Sequence, residues 1–469
     1  MQLRVTIQDK ANELIVGSGF GGNVMVKARL RTISRRNLLK GATASIAMPY
    51  FMSCSAVVKG DKPAPSNRIT MGLIGLGSMG MRHVKGFLQE DDCQIVAVCD
   101  VDANRRRDAV EEINKHNGNK DCIPYNDFRD LVVRKDIDTL CISVPDHWHS
   151  IPAIMAVRAG KDIYGEKPLA LTIAEGQAMV EAAHRYNCVW ETGSWQRSTE
   201  HFRFGCELVR NGRIGRLKRV EVGIGSGYTP GFGQPAVYRI DPQPVTQVPR
   251  HLDYEMWLGP APWAPYTEKR CHWNFRWILD YSGGQVTDWG AHHIDIAHWG
   301  MGCDDTGPVE VEGKGVFPDD GLWNAAIDYD FKCTYENGVE MYVGSNNHYA
   351  QGVRFIGDSG WIHITRGGLK TNPKELLKEK IGPNEVHLSR PSAEHRQGHR
   401  RDFLDCVKTR AQTISPIEVG HRSVIPAHLG NIAMLLGRKV RWDPEQENII
   451  GDEAASRMLT GTMRSPWHL

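Results

Sequence analysis

Apolar and polar positions change their period along the chain. From residue 69 onward, short apolar runs at 69–74, 94–99, 139–144 and 162–164 alternate with longer amphipathic or charged stretches. Runs of that length read as strands buried on both faces, and the stretches between them as helices, one running to about residue 89 and others over 102–117, 151–159 and 173–186. This alternation predicts a parallel, doubly wound α/β sheet. After residue 189 the chain turns to β-rich stretches at 217–224, 325–335, 339–346 and 360–364, separated by polar turns such as Glu336-Asn337-Gly338. They predict an α+β domain built on a large, mostly antiparallel, open sheet. A helical region at 426–436 follows, and a tail from Arg441 that packs back on the body. The expected division is an α/β domain over 68–190 and an α+β domain over 191–469.

The first 60 residues follow another plan. Ser34-Arg35-Arg36-Asn37-Leu38-Leu39-Lys40 is a twin-arginine pattern, and the weakly apolar, small-residue run 41–49 follows it. Residues 1–59 therefore read as an export signal and 60–67, rich in Pro and Ser, as a linker. A periplasmic destination is expected. The 33 residues before Ser34 are long for such a signal, whereas Met25-Val26-Lys27-Ala28-Arg29-Leu30-Arg31 makes a compact basic start, so translation is expected to begin at Met25. Phe51-Met52-Ser53-Cys54 is weakly similar to a lipoprotein cleavage box, which leaves two outcomes open, a lipid anchor at Cys54 or a plain cleavage site nearby.

Composition narrows the class. The 469 residues are about three domains' worth of material, 41% hydrophobic and 24% charged, with a mean hydropathy of −0.40, which fits a soluble globular chain. No stretch after residue 60 is long and apolar enough to span a bilayer. The formal charge of +2 hides an asymmetry: residues 1–60 carry nine Lys and Arg against two acids, a balance of +7 that leaves −5 for the rest. A mildly acidic body lacks the clustered positive surface of a nucleic-acid binder, so no nucleic-acid partner is expected. Ten cysteines besides Cys54 are scattered with no C-x-x-C pair, which points to buried thiols and not to a zinc site or a disulfide framework.

Three motifs carry chemistry. Gly75-Leu76-Gly77-Ser78-Met79-Gly80 follows the first apolar run and opens a helix, and Asp100 ends the next run about twenty residues later. Gly75 allows the tight turn, Gly77 lets backbone approach a pyrophosphate, Gly80 lets the helix pack closely, and the helix N-terminus supplies positive partial charge. Asp100 would accept from both ribose hydroxyls and repel a 2′-phosphate, favouring NAD over NADP, although Arg105 to Arg107 lie nearby. Gly165-Glu166-Lys167-Pro168 sets Lys167 at the carboxyl end of a buried strand, where open α/β sheets bind ligands. Asp288, His292 and Asp295 recur at i, i+4 and i+7, so on one helix they share a face and Asp288 can orient and charge-stabilise the His292 imidazole. A metal held by His292, His293, Asp295 and His298 would need a less regular spacing than H-x-x-x-H, and none is expected.

With these motifs in this order and spacing, the sequence resembles the Gfo/Idh/MocA family of sugar oxidoreductases from Arg68 to the C-terminus. The resemblance implies that Lys167 contacts the reacting hydroxyl and the nicotinamide ribose, and that His292 is the acid/base with Asp288 beside it. It also implies that the Pro145-Asp146-His147-Trp148-His149 turn lies beneath the nicotinamide, with Glu166 adjoining the cofactor. The second domain is then expected to bind substrate and to form a homo-oligomer through its open sheet face. Six of thirteen tryptophans lie between Trp257 and Trp299, but Trp148 and Trp195, in the predicted cleft loops, are the expected stacking faces for a sugar ring. Gln196, Arg197, Arg276 and His293 are the expected partners of its hydroxyls.

Export adds a constraint, because free NAD is not available outside the cytoplasm and a one-way dehydrogenase would stall after one turnover. One solution oxidises a secondary hydroxyl, C3 of a sugar or glycoside, and returns the hydride to a second keto-sugar. Another is a glycosidase that oxidises C3 transiently, eliminates the aglycone and restores the sugar, with His293 or His149 as the added base near C2. A non-catalytic sugar-binding protein is a third, but it would have no need of Lys167, Asp288 and His292 together.

Overall fold

The computed structural model describes residues 67–225, 242–393 and 395–469. The twin-arginine segment, Met25 and Cys54 lie outside them. The first domain is a six-stranded sheet in the order β3-β2-β1-β4-β5-β6, formed by β1 (Ile69–Ile74), β2 (Cys93–Cys99), β3 (Ile123–Tyr125), β4 (Thr139–Ile142), β5 (Asp162–Gly165) and β6 (Trp190–Thr192). Every pair is parallel. Helices α1 (Ser78–Phe87), α2 (Ala103–Asn117), α3 (Phe128–Val132), α4 (Ser150–Arg158) and α5 (Ile173–Arg185) make the crossovers. β1 and β4, apolar but for Thr70 and Thr139, are buried without alternation because helices cover both faces. Asp102 starts α2 by accepting from the amides of Asn104 and Arg105, and Gly118, in the left-handed region, ends it.

The second domain begins with α6 (Glu200–Arg210) and β7 (Leu217–Ile224), followed by α7 (Tyr254–Leu258), α8 (Gln285–Asp288) and α9 (Gly290–Met301). The remaining strands are β8 (Glu310–Val316), β9 (Asp328–Thr334), β10 (Glu340–Ser345), β11 (Gly352–Gly357), β12 (Trp361–Thr365), β13 (Gly368–Asn372), β14 (Val440–Asp443) and β15 (Asn448–Ile449). Helices α10 (His395–Thr409), α11 (Ile417–Leu436) and α12 (Glu453–Arg457) complete the chain. Nine strands form one sheet, β13-β12-β11-β7-β10-β9-β8-β14-β15, antiparallel except where β7 meets β10. One face is buried, as β9 shows: Tyr329, Phe331 and Cys333 point inward while Asp328, Asp330 and Lys332 do not. Ile294, Trp299 and Leu429, on α9 and α11, pack with Phe331 and Phe355 in this core.

Two expectations change. The boundary at residue 190 falls inside β6, which pairs with β5 as the edge strand of the first sheet. Nor does 191–469 stand apart, because Phe403 and Leu404 of α10 join Leu73, Val84 and Phe87 in the core of the first domain. Arg401 there pairs with Glu90 and Asp92; the tail does pack back on the body as expected, with Trp467 edge-on against Trp148 at 4.8 Å between centroids. The helix expected over 426–436 starts nine residues earlier, with Pro426 inside it. An internal proline costs about 3 kcal/mol, and the burial of most of this helix offsets that. Among the described residues, all ten cysteines are free and eight are buried, and no helix is long and apolar enough to cross a membrane.

Candidate active site

The carboxyl ends of β1, β2, β4 and β5 open into a cavity of about 510 Å³, closed on the far side by residues of the second domain. Gly75 follows β1 with φ of +88°, and a Cβ there would lie 2.4 Å from the Ser143 carbonyl oxygen. A Cβ on Gly80 would lie 2.0 Å from the Gly75 carbonyl oxygen, so the glycines set the separation between turn and helix. Helix α1 then begins with no side-chain cap and no acid in its first turn, leaving its first amides free for an anion. At the end of β2, Asp100 accepts from the amides of Leu76 (2.7 Å) and Asp102 (2.9 Å). Each carboxylate oxygen keeps a lone pair for a ribose hydroxyl. Gly75, Gly77, Ser78, Met79, Asp100 and Pro145 all line this end of the cavity, with Arg105 beside them. The cradle fits a dinucleotide.

At the other end, Glu166 is fixed by His83, whose Nε2 lies 2.8 Å from Oε1. Burial raises the Glu166 carboxyl, but the bond and charge of His83 outweigh it and hold the group below its ordinary value. The next residue, Lys167, crosses to the second domain, where Nζ donates to Asp288 Oδ1 (2.6 Å) and to the Asp288 carbonyl (2.9 Å). Arg276 Nε stands 3.5 Å from the same carboxylate. Burial again pushes upward, and Lys167 and then Arg276 reverse it, holding Asp288 at about 2. His292 lines the same space, edge-on to Trp195 and Trp289 at 6.4 and 6.3 Å between centroids. Burial, and then the positive charges of Lys167 and Arg366, hold it well below its ordinary value, which favours the neutral imidazole.

The family model described as the NAD-binding Rossmann fold of an oxidoreductase family matches residues 69–194, and its companion, the C-terminal alpha/beta domain, matches residues 203–469. The chain belongs to the Gfo/Idh/MocA oxidoreductase family. Its cofactor is NAD. A glycosyl hydrolase family 109 protein of Shewanella baltica is 31% identical over 214 residues, which are 40% of this chain and 45% of that protein. The match thus spans less than half the length of these curated relatives. Among solved structures, the aldose-aldose oxidoreductase of Caulobacter crescentus aligns with a TM-score of 0.57 at 18% identity, covering 80% of this chain and 99% of that one. The WlbA dehydrogenase of Bordetella pertussis, in complex with NADH and UDP-GlcNAcA, aligns with a TM-score of 0.57 at 16% identity, covering 80% and 99%.

Within this Gfo/Idh/MocA cavity the predicted residues separate into two groups. Glu166, Lys167, Trp148, Trp195, Arg276, Asp288 and His292 line it. Asp288 does not orient His292 as the helical spacing implied. Its carboxylate is taken by Lys167 across the domain boundary, and His292 Nδ1 has no partner among the described residues. Trp148 forms wall, with its indole N–H donating to the Met256 and Trp257 carbonyls.

Gly80, His147, His149, Gln196, Arg197 and His293 do not line the cavity. Gly80 keeps only its packing role. The His147 ring meets the Trp257 carbonyl at 3.1 Å and is held down to about 4 by burial. His149 braces its loop against the carbonyls of Val144 (2.9 Å) and Leu169 (3.2 Å). Gln196 is fully buried. Arg197 is fully engaged between Asp295 and Asp304 and stacks over Trp299. His293 is buried, and that burial, with the charge of Arg366, pushes it down to about 3. The metal set does not converge either, since Asp295 pairs with Arg197 and His298 Nε2 bonds Tyr335 Oη at 2.6 Å.

Sequence reasoning missed Arg82, Trp289, Arg366 and Arg396, all of which line the cavity. Arg366 sits in a Thr365-Arg366-Gly367-Gly368 hairpin turn and Arg396 in a charged helix start, patterns that read as ordinary surface.

Proposed function

We propose that the protein oxidises a secondary hydroxyl, C3 of a sugar or glycoside, with NAD that stays bound and is recycled in place. The observation that carries this reading is His292 and Lys167, the latter bonded to Asp288, lining one cavity with the dinucleotide cradle. NAD, when bound, supplies the hydride acceptor. His292 takes the hydroxyl proton, a general-base step that typically contributes 10²–10⁴-fold. Lys167 donates a hydrogen bond to the oxygen as it gains negative charge, and Asp288 holds the ammonium in place while it does so. Trp195 lines the site, and Arg276, beside Asp288, offers a donor for a hydroxyl.

The curated relatives are named as glycosyl hydrolases, which favours a second reading, glycoside cleavage, for which transient oxidation is the route open to an NAD site. It needs a base near C2, and both candidates for it, His149 and His293, lie outside the cavity lining. That weighs toward the oxidoreductase. Periplasmic export with cofactor aboard remains part of the proposal, supported by the twin-arginine pattern, and so does a homo-oligomer.

The test incubates protein purified without added cofactor with glucosides, galactosides and related glycosides, with and without a keto-sugar acceptor, and follows products by mass spectrometry. A product two hydrogens lighter that accumulates with acceptor supports oxidation. Free aglycone with unoxidised sugar, formed without acceptor, transfers the assignment to a redox-neutral glycosidase.

A further inference from the structure

Two arginines on the cavity wall have no acidic partner among the described residues. Arg366, in the turn between β12 and β13, and Arg396, in the first turn of α10, both lie over the Trp195 ring, their guanidinium carbons 5.0 and 4.5 Å from its centroid. Arg366 also lies 4.3 Å from the centroid of Trp289. Among the described residues, no carboxylate comes within 4.0 Å of either guanidinium, and the Nε atom of each is buried without a hydrogen-bond partner. The nearby acids are committed elsewhere, Asp288 to Lys167 and Arg276, and Glu166 to His83. Around His292 the cavity therefore carries more positive charge than it neutralises. Burial, and then the charge of Arg396, lower Arg366 to about 10.

A guanidinium stacked on an aromatic ring spends its face on the ring and keeps its in-plane N–H groups, whose fork matches a carboxylate, sulfate or phosphate. Two like charges on one tryptophan beside a cavity are an unfavourable arrangement that an anion relieves. We propose that the sugar substrate carries an anionic substituent, a carboxylate or an ester-linked sulfate or phosphate, held by Arg366 and Arg396 beside Trp195. The inference rests on the reading of this cavity as a sugar-oxidising site and names its substrate class.

The experiment titrates NAD-loaded protein calorimetrically with matched sugars, glucuronate against glucose, galacturonate against galactose, and glucose 6-phosphate and 6-sulfate against glucose. The same sugars are then assayed for oxidation. A hydrogen bond to a charged group contributes enough for about a tenfold preference or more, so the charged member of at least one pair should bind tenfold tighter, and rising salt should narrow the gap. Arg366→Gln and Arg396→Gln should each cut the preference to under about threefold with bound NAD per chain retained. Arg366→Lys, which keeps the charge without the fork, should fall between. The carboxylate and ester arms identify which anion is read. Equal binding of charged and neutral sugars, or binding of neither, overturns the inference. So does loss of NAD from either variant with the preference intact, which would assign these arginines to the cofactor. A retained charge preference with no oxidation of any sugar would overturn the oxidoreductase reading and leave charge selection standing.

Discussion

Lys167 and Asp288 carry the proposed chemistry together, and a double-mutant cycle measures their dependence on each other. Nζ and Oδ1 lie 2.6 Å apart, with side chains only 13% and 15% exposed, while the competing Arg276 stands at 3.5 Å. The lowering of Asp288 from an ordinary 3.8 to about 2 corresponds to roughly 2 kcal/mol in favour of the carboxylate. Lys167 is the stronger of its two attractive partners, so Lys167→Met, Asp288→Asn and the double variant should return a coupling of about 1–2 kcal/mol. Because the folded-state value lies below the unfolded one, this stability is fully present above about pH 4 and is lost as pH falls through about 2. The coupling should therefore be the same at pH 5 and pH 8. Urea unfolding of the four proteins, followed by tryptophan fluorescence at both pH values, supplies the numbers. A coupling below about 0.3 kcal/mol, or one that collapses between pH 8 and pH 5, would refute the claim that Asp288 fixes the ammonium. Lys167→Met should also lower kcat by about 100-fold or more, with the NAD released by acid unchanged per chain.

Gly75→Ala forces a Cβ to within 2.4 Å of the Ser143 carbonyl at a positive φ, so the variant should be purified without NAD; chromatography of the acid extract showing normal NAD would remove the glycine turn from the site. His292→Gln should cost about 10²–10⁴ in kcat. Because the wild-type imidazole is held well below 6.5, kcat/KM should stay level from pH 8 down to about 6, and an acid limb centred at or above 6.5 would contradict a neutral His292. Phe403→Ala should destabilise the protein by about 3–5 kcal/mol, since Phe403 is fully buried against the first domain; a loss under about 1 kcal/mol would show that α10 is not part of that core.

The first domain was legible because its rules are local. β1 is apolar at every position but Thr70, the glycine turn answers to backbone clearance, and Asp100 stands at a strand end, so each announces itself within a few residues. β7 was read with its observed bounds for the same reason. Elements whose apolar face is completed by distant partners were not. Helix α10 opens His395-Arg396-Gln397 and looks like a solvated surface, yet its Phe403 and Leu404 belong to a core more than 300 residues away in sequence. Pro426 was taken as the start of α11, because the chain does not announce that surrounding layers will hold the helix together around it.

The site divides along the same line. Residue types and short spacings by themselves determined the dinucleotide cradle, the placing of Lys167 at a strand end, and the presence of Asp288 and His292 in one segment. Spacing along a helix assigned Asp288 to His292, but a carboxylate goes to the nearest strong positive charge, and that charge arrives from another domain. The same long-range convergence took Arg197 out of the site, into a buried pairing with Asp295 and Asp304, and brought Arg366 and Arg396 onto Trp195. Backbone sterics and hydrophobic period act over neighbouring residues and can be read along the chain. Ion pairing and stacking act through space, so the partners of these charged side chains exist only once the two sheets have closed on one another.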